Sequence, residues 1–199
     1  MNKIYLITPN KLTTNFYQYL PKILKTKKVR FLQLRCKNYN YKKINTHIKK
    51  ILPITKKYKV KLIINDNASF VENFKTVGFH LGQKDLNKND NRKFINKKNF
   101  FGITCHNSLT LAKQAMKLKP NYLAFGAFFQ TKTKKAKYRA TINILKKSKK
   151  LKTKIVAIGG INNSNYKSLL KNGADYIAIS GFIWKNKKYS PLEAIKLFK

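Results

Sequence analysis

The chain has 199 residues and carries 45 Lys+Arg against 6 Asp+Glu, a formal net charge of +39. That length suits one domain that buries its own core without disulfides or structural metal, and it is short for an eight-stranded α/β barrel, whose loops would have to be near their minimum. The two cysteines, Cys36 and Cys105, are isolated and show no CxxC or Cys/His spacing, so no zinc site is visible, and they suit a reducing cytoplasm.

Short apolar runs rich in β-branched and aromatic residues recur along the chain. In order they are Lys3–Thr8, Val29–Arg35, Lys61–Asp66, Val77–Gly82, Phe100–Cys105, Tyr122–Ala127, Ile155–Gly160 and Tyr176–Gly181. Continuous apolar runs of this length predict strands buried on both faces, as in a parallel sheet. Between them lie amphipathic stretches. Tyr41–Lys57 places Ile44, Ile48, Ile51 and Leu52 at helical spacing, Ser108–Lys119 does the same with Leu111, Ala112 and Ala115, and Asn163–Asn172 ends at Gly173, a C-terminal stop. Eight strands alternating with helices predict an α/β fold, a (β/α)8 TIM barrel in a single compact domain spanning 1–199. The alternative, an open doubly wound sheet, would need a Gly-rich phosphate loop after the first strand, where Thr8-Pro9-Asn10-Lys11 stands instead. The apolar run at the N-terminus is too short for a signal peptide, and no run approaches the ~18 residues of a membrane span. A cytoplasmic protein without a membrane partner is expected.

The charge itself is mostly lysine, since the arginines are only Arg30, Arg35, Arg92 and Arg139. Lysines spread over the whole chain, with few of the bidentate forks that read phosphates and base edges, argue for solvated surface rather than a dedicated nucleic-acid binder. A lysine-rich nucleic-acid-binding protein remains the rival reading from another class.

In a barrel the site is built at the C-terminal ends of the strands. Gln33, Arg35 and Lys37 share one face of the second strand by alternation and would meet an anion, the alternative being that Lys37 is loop charge and Arg35 a capping residue. Asp66 and Asp85, two of only six acids, fall at the ends of the third and fourth strands. One or two carboxylates plus substrate phosphate oxygens is a usual way to hold Mg²⁺, the alternative being ion pairs with neighbouring lysines. Thr131, Thr133 and Lys134 follow the sixth strand, and Gly159-Gly160 and Ser180-Gly181 end the seventh and eighth, where barrels bind phosphate; tight turns are the alternative for the glycines. His106 could act as a general acid or base or be structural. Cys105 reads as core, and Cys36 as facing away from the mouth.

Taken together, Tyr5-Leu6-Ile7-Thr8, Gln33-Leu34-Arg35-x-Lys37, Ile64-Asn65-Asp66, His80-Leu81-Gly82-Gln83-x-Asp85, Gly102-x-Thr104-x-His106, Phe125-Gly126 with Thr131-x-Thr133-Lys134, and Ala157-Ile158-Gly159-Gly160-Ile161 resemble the thiamine-phosphate synthase family over nearly the whole chain. The resemblance implies a transferase that joins a hydroxymethylpyrimidine diphosphate to a thiazole phosphate. It implies that Gln33, Arg35, Lys37, Asn65, Thr104 and Lys134 bind the pyrimidine diphosphate. Thr131, Lys132, Thr133, Gly160, Ser180 and Gly181 would bind the thiazole phosphate, and Asp66 and Asp85 would carry Mg²⁺. Departures are Thr104 where the family has Ser, Cys36 and Lys84 where it has Glu, Gln130 where it has Pro, and Ser180-Gly181-Phe182-Ile183 at the last strand. The last is closer to the thiazole tautomerases of the same barrel family, the same-fold rival, with His106 as acid/base.

Overall fold

The computed structural model describes residues 2–130 and 138–199. Eight parallel strands close a barrel in chain order: β1 (Ile4–Ile7), β2 (Val29–Leu34), β3 (Lys61–Asn65), β4 (Gly78–Leu81), β5 (Phe101–His106), β6 (Tyr122–Gly126), β7 (Lys154–Ile158) and β8 (Tyr176–Ile179). All eight expected strands form, each within a residue or two of its expected start. β1 pairs with β2 and β8, so no edge is left open. The helices are α1 (Thr14–Lys25), α2 (Tyr41–Lys57), α3 (Phe70–Asn73), α4 (Gln83–Leu86), α5 (Asn89–Arg92), α6 (Leu109–Met116), α7 (Ile142–Ser148), α8 (Tyr166–Lys171), α9 (Gly181–Trp184) and α10 (Pro191–Lys196). Among the described residues, no helix is long and apolar enough to cross a membrane.

Two cores result from strand alternation. Residues pointing outward, such as Leu6, Leu32 and Phe79, pack under the helices with Leu20, Ile48 and Ile51. Residues pointing inward fill the barrel: Tyr5, Ile7, Phe31, Ile63, Tyr122, Ala124, Val156 and Ala178. Gly102 makes the room for Tyr122, because a Cβ there would stand 2.0 Å from the Tyr122 ring.

Helix ends follow local chemistry. Asn40 caps α2 by accepting from the Lys43 amide at 2.9 Å, and Ser190 with Glu193 forms a capping box on α10. α6 is shorter than expected because Ser108 is its N-cap, accepting from the Leu111 amide, and Lys119 has left the helix at φ 54°. α8 begins later than expected, since Asn162 and Asn165 bond the preceding backbone into a turn. Lys27, Lys59, Lys119 and Lys152 all sit in the left-handed region just before a strand, a position usually given to glycine. Gly173 fills the equivalent place after α8 at φ 116°.

Candidate active site

The C-terminal ends of β2, β3 and β4 bring Arg35, Lys37, Asn65, Asp66 and Asp85 to one region of the barrel mouth. Gln33 lies inside β2 and is buried. β2 stops at Leu34, so Arg35 and Lys37 do not share a strand face with Gln33; they stand on the loop that follows. The loop is nevertheless held, since the Arg35 amide donates to Thr8 Oγ1 at 3.0 Å. Asn65 ends β3, and Asp66 turns into the left-handed region at φ 64° while its amide donates to the His80 carbonyl at 2.8 Å. A non-glycine residue at positive φ on a strand end is a strained placement that a functional side chain commonly explains.

Asp85 is the third residue of α4, the single turn after β4. Its carboxylate comes within hydrogen-bonding reach of Asp66. Burial holds the Asp66 carboxyl above the ordinary range, and the Asp85 charge raises it further, while Arg35 and Asn65 pull the other way. Asp85 also pairs with the exposed Lys88 ammonium at 2.8 Å, so the ion-pair alternative is realised on one side of the carboxylate. Behind both, Asn91 is buried and donates to the Asp66 carbonyl at 3.3 Å and the Asp85 carbonyl at 3.0 Å, while its Oδ1 accepts from the Ala68 amide. It fastens the two acidic loops to each other. Nothing in the Asn-rich run Asn87–Asn91 marks it out.

A cavity of about 470 Å³ opens beside this cluster, lined by Lys37, Asn65, Asp66, Phe70 and Lys88 among others. Cys36, expected to face away from the mouth, borders the cavity with its thiol turned to the Pro9 carbonyl. Cys105 is fully buried core, as expected. A crevice of about 300 Å³ at the opposite end of the barrel contains Asp175, but that carboxylate is already bonded to Lys154 and the Ile155 amide.

The paired carboxylates suit a hard cation. They supply oxygen donors only, and among the described residues no group of three or more His, Cys, Asp or Glu could complete a protein shell. A bound ion would take its remaining ligands from water and from a substrate, which is the habit of Mg²⁺ rather than of zinc.

Below the mouth, a chain of buried polar groups crosses the barrel. Gln33 Nε2 donates to Tyr5 Oη at 3.0 Å, Tyr5 Oη lies 2.7 Å from Tyr122 Oη, and Tyr122 Oη lies 3.0 Å from His80 Nδ1. His80 Nε2 is 2.7 Å from Thr104 Oγ1. Burial lowers the His80 pKa to about 4, helped by Arg35 and opposed by Asp85, so the imidazole is neutral at pH 7. Burial likewise holds both tyrosines far above their ordinary pKa. Tyr5 and His80 belong to the motifs that carry the family resemblance but have no role assigned by it, and Tyr122 stands in none of those motifs. The available signal was a polar-capable side chain inside an otherwise apolar strand.

Around the rest of the rim, β5 carries a register shift between Thr104 and His106, and His106 follows at φ 52° with its ring stacked on Tyr138 at 4.4 Å. Gly159 and Gly160 have a packing reason: a Cβ on them would meet Ala127 at 2.4 Å and the Gln130 carbonyl at 2.3 Å. They let the segment after β6 cross the end of β7, where Phe128 and Phe129 amides bond the Ile158 and Gly159 carbonyls. Ser180 Oγ donates to the Thr8 carbonyl at 3.3 Å, and Gly181 begins α9. Thr131, Lys132, Thr133 and Lys134 lie outside the described residues.

A closed (β/α)8 barrel with two facing carboxylates and cationic side chains at its mouth is an architecture suited to phosphorylated small molecules. The family profile described as thiamine monophosphate synthase matches residues 4–183. The chain is 51% identical over 201 residues to a thiamine-phosphate synthase of Pelagibacter ubique, covering 98% of this chain and 95% of that one. It is 31% identical to one of Erythrobacter litoralis, over 96% and 92% of the two chains. Its fold superposes on the thiamine phosphate pyrophosphorylase of Pyrococcus furiosus with a TM-score of 0.84 at 25% identity, over 99% and 93%. This chain belongs to the thiamine monophosphate synthase family.

Proposed function

We propose that the protein condenses 4-amino-5-hydroxymethyl-2-methylpyrimidine diphosphate with 4-methyl-5-(2-phosphoethyl)thiazole to give thiamine phosphate and diphosphate, as a Mg²⁺-dependent transferase of the cytoplasm. The observation that carries the reading is the facing Asp66–Asp85 pair beside Arg35, at the mouth of a barrel whose relatives bear this name.

In this reading Asp66 and Asp85 hold Mg²⁺, and when bound the ion neutralises charge on the diphosphate. Arg35 and Lys37 add cationic partners for the same oxygens, joined by Lys134. Gln33, Asn65 and Thr104 hold the pyrimidine. The C–O bond to diphosphate breaks, its electron pair leaving with the oxygen, and the pyrimidinylmethyl cation remains. The lone pair of the thiazole nitrogen then forms the new C–N bond. No proton needs to move in the bond-breaking step, so the site needs charge stabilisation rather than a general base. Thr131, Lys132, Thr133, Gly160, Ser180 and Gly181 form the thiazole-phosphate side, supported by the glycine backbone that approaches the loop after β6.

The test is product formation from the two substrates with Mg²⁺ and then with EDTA. Thiamine phosphate formed only with Mg²⁺ is the expected result. No product from folded protein in either condition would overturn the reading in favour of the thiazole tautomerase, to be tested at His106.

A further inference from the structure

The links of the buried chain beneath the mouth share one direction, set by the Gln33 amide nitrogen that faces Tyr5. An amide nitrogen can only donate, so Gln33 Nε2 gives its hydrogen to Tyr5 Oη. The Tyr5 proton has one remaining partner, Tyr122 Oη, and it must go there because a buried hydroxyl left without an acceptor costs about 1–3 kcal/mol. By the same reasoning the Tyr122 proton goes to His80 Nδ1. A neutral imidazole that accepts at Nδ1 carries its hydrogen on Nε2 and donates to Thr104 Oγ1. Thr104 therefore keeps its own proton for a partner outside the chain. At the other end, Gln33 is bonded through Nε2 alone. Among the described residues no buried side-chain nitrogen or oxygen lacks a partner, so Gln33 Oε1 is the atom that solvent or a ligand reaches.

We propose that Tyr5, Tyr122 and His80 are positioning residues, a one-way hydrogen-bond relay that fixes Gln33 as an acceptor and Thr104 as a donor, and so selects a 4-aminopyrimidine over its 4-oxo counterpart. The inference rests on the proposed pyrimidine substrate. An aminopyrimidine offers the complement, an exocyclic N–H to Gln33 Oε1 and a ring nitrogen to the Thr104 hydroxyl. A 4-oxo ring puts a carbonyl where the acceptor waits. Were Gln33 and Thr104 free rotors, either ring could be met by turning the amide over and rotating the hydroxyl. The relay restricts that freedom, because reversing one end requires reversing every bond between them and moving the His80 proton from Nε2 to Nδ1. Gly102 belongs to the device, since only a residue without a Cβ leaves the Tyr122 ring its place.

The relay is tested by competitive inhibition with two alcohols, 5-hydroxymethyl-2-methylpyrimidine carrying a 4-amino or a 4-oxo group, in the wild type, Tyr122→Phe and Tyr5→Phe. Alcohols are used because the intrinsic reactivity of the diphosphates does not enter their binding. The wild type is expected to prefer the amino alcohol by at least about tenfold. Each variant keeps its ring and loses one link, and its preference is expected to fall by about threefold to tenfold, the worth of one ordinary hydrogen bond. KM for the thiazole phosphate should stay unchanged, which a general loosening of the barrel would not allow. Two variants at different links guard against one that fails to fold. An active wild type whose preference survives in the folded variants, or that has no preference, overturns the relay. A wild type that makes no thiamine phosphate overturns the proposed function instead.

Discussion

Asp66→Asn is expected to stabilise the metal-free protein while nearly abolishing its turnover. Two unit charges about 4 Å apart at an effective dielectric near 20 repel by about 4 kcal/mol. Arg35 offsets part of this and solvent at the exposed Asp66 screens more, leaving a net cost of about 1–2 kcal/mol in the protein without metal. Asparagine removes the repulsion and tolerates the φ of 64° at this position at least as well as aspartate does. The melting temperature should rise by about 2–8 °C for a chain of this length. Mg²⁺ at ten times its dissociation constant should stabilise the wild type by about 1.4 kcal/mol and the variant much less. Turnover should fall by about 10²–10³-fold. The assay is a pair of thermal melts, with EDTA and with Mg²⁺, read beside the rate of thiamine phosphate formation. A variant that melts at or below the wild type in EDTA, with an equal Mg²⁺ shift in both proteins, would refute the carboxylate-pair argument.

Other perturbations follow from single contacts. Gly102→Ala drives a Cβ to 2.0 Å from the Tyr122 ring, so a loss of about 3 kcal/mol is expected with a raised KM for the pyrimidine diphosphate; an unchanged melt would show that the ring can move aside cheaply. Replacing Lys27, Lys59, Lys119 and Lys152 together by glycine should stabilise the fold by about 2–4 kcal/mol without changing activity, because each leaves a left-handed backbone that costs a side chain about 1–2 kcal/mol, less the entropy glycine gains on unfolding. A lowered melting temperature would count against it. His106→Phe keeps a ring against Tyr138 and removes the titratable group, so synthase kcat should stay within about threefold. A loss of about 10²-fold or more would make His106 an acid or base in the reaction.

Much of the barrel was legible because its signals are local. A strand buried on both faces must be apolar throughout, and the eight runs are short, regular and separated by helical spacing. Strand ends were less legible. Arg35 reads as part of β2 by alternation, but the chain leaves the sheet after Leu34, and no residue near it announces the change. The candidate site was readable where its residues are chemically out of place, as with two aspartates in a chain that holds only six acids. It was unreadable where a residue works through partners distant in sequence. Asn91 ties the Asp66 and Asp85 loops by two side-chain bonds, yet it stands among other asparagines.

By itself the sequence determined the alternation of strand and helix, the closed parallel architecture it implies, and the set of polar groups at the strand ends, since burial and hydrogen bonding constrain each short segment on its own. Tertiary structure alone decided which of those groups meet. Asp66 faces Asp85 because β3 and β4 are neighbours in register, Asn65 opposite His80. Gln33 is linked to Thr104 by hydrogen bonds, by way of His80, because Tyr5 and Tyr122, 117 positions apart, point inward from β1 and β6 and touch at the barrel axis. Closing the sheet sets those distances, and no local pattern records them.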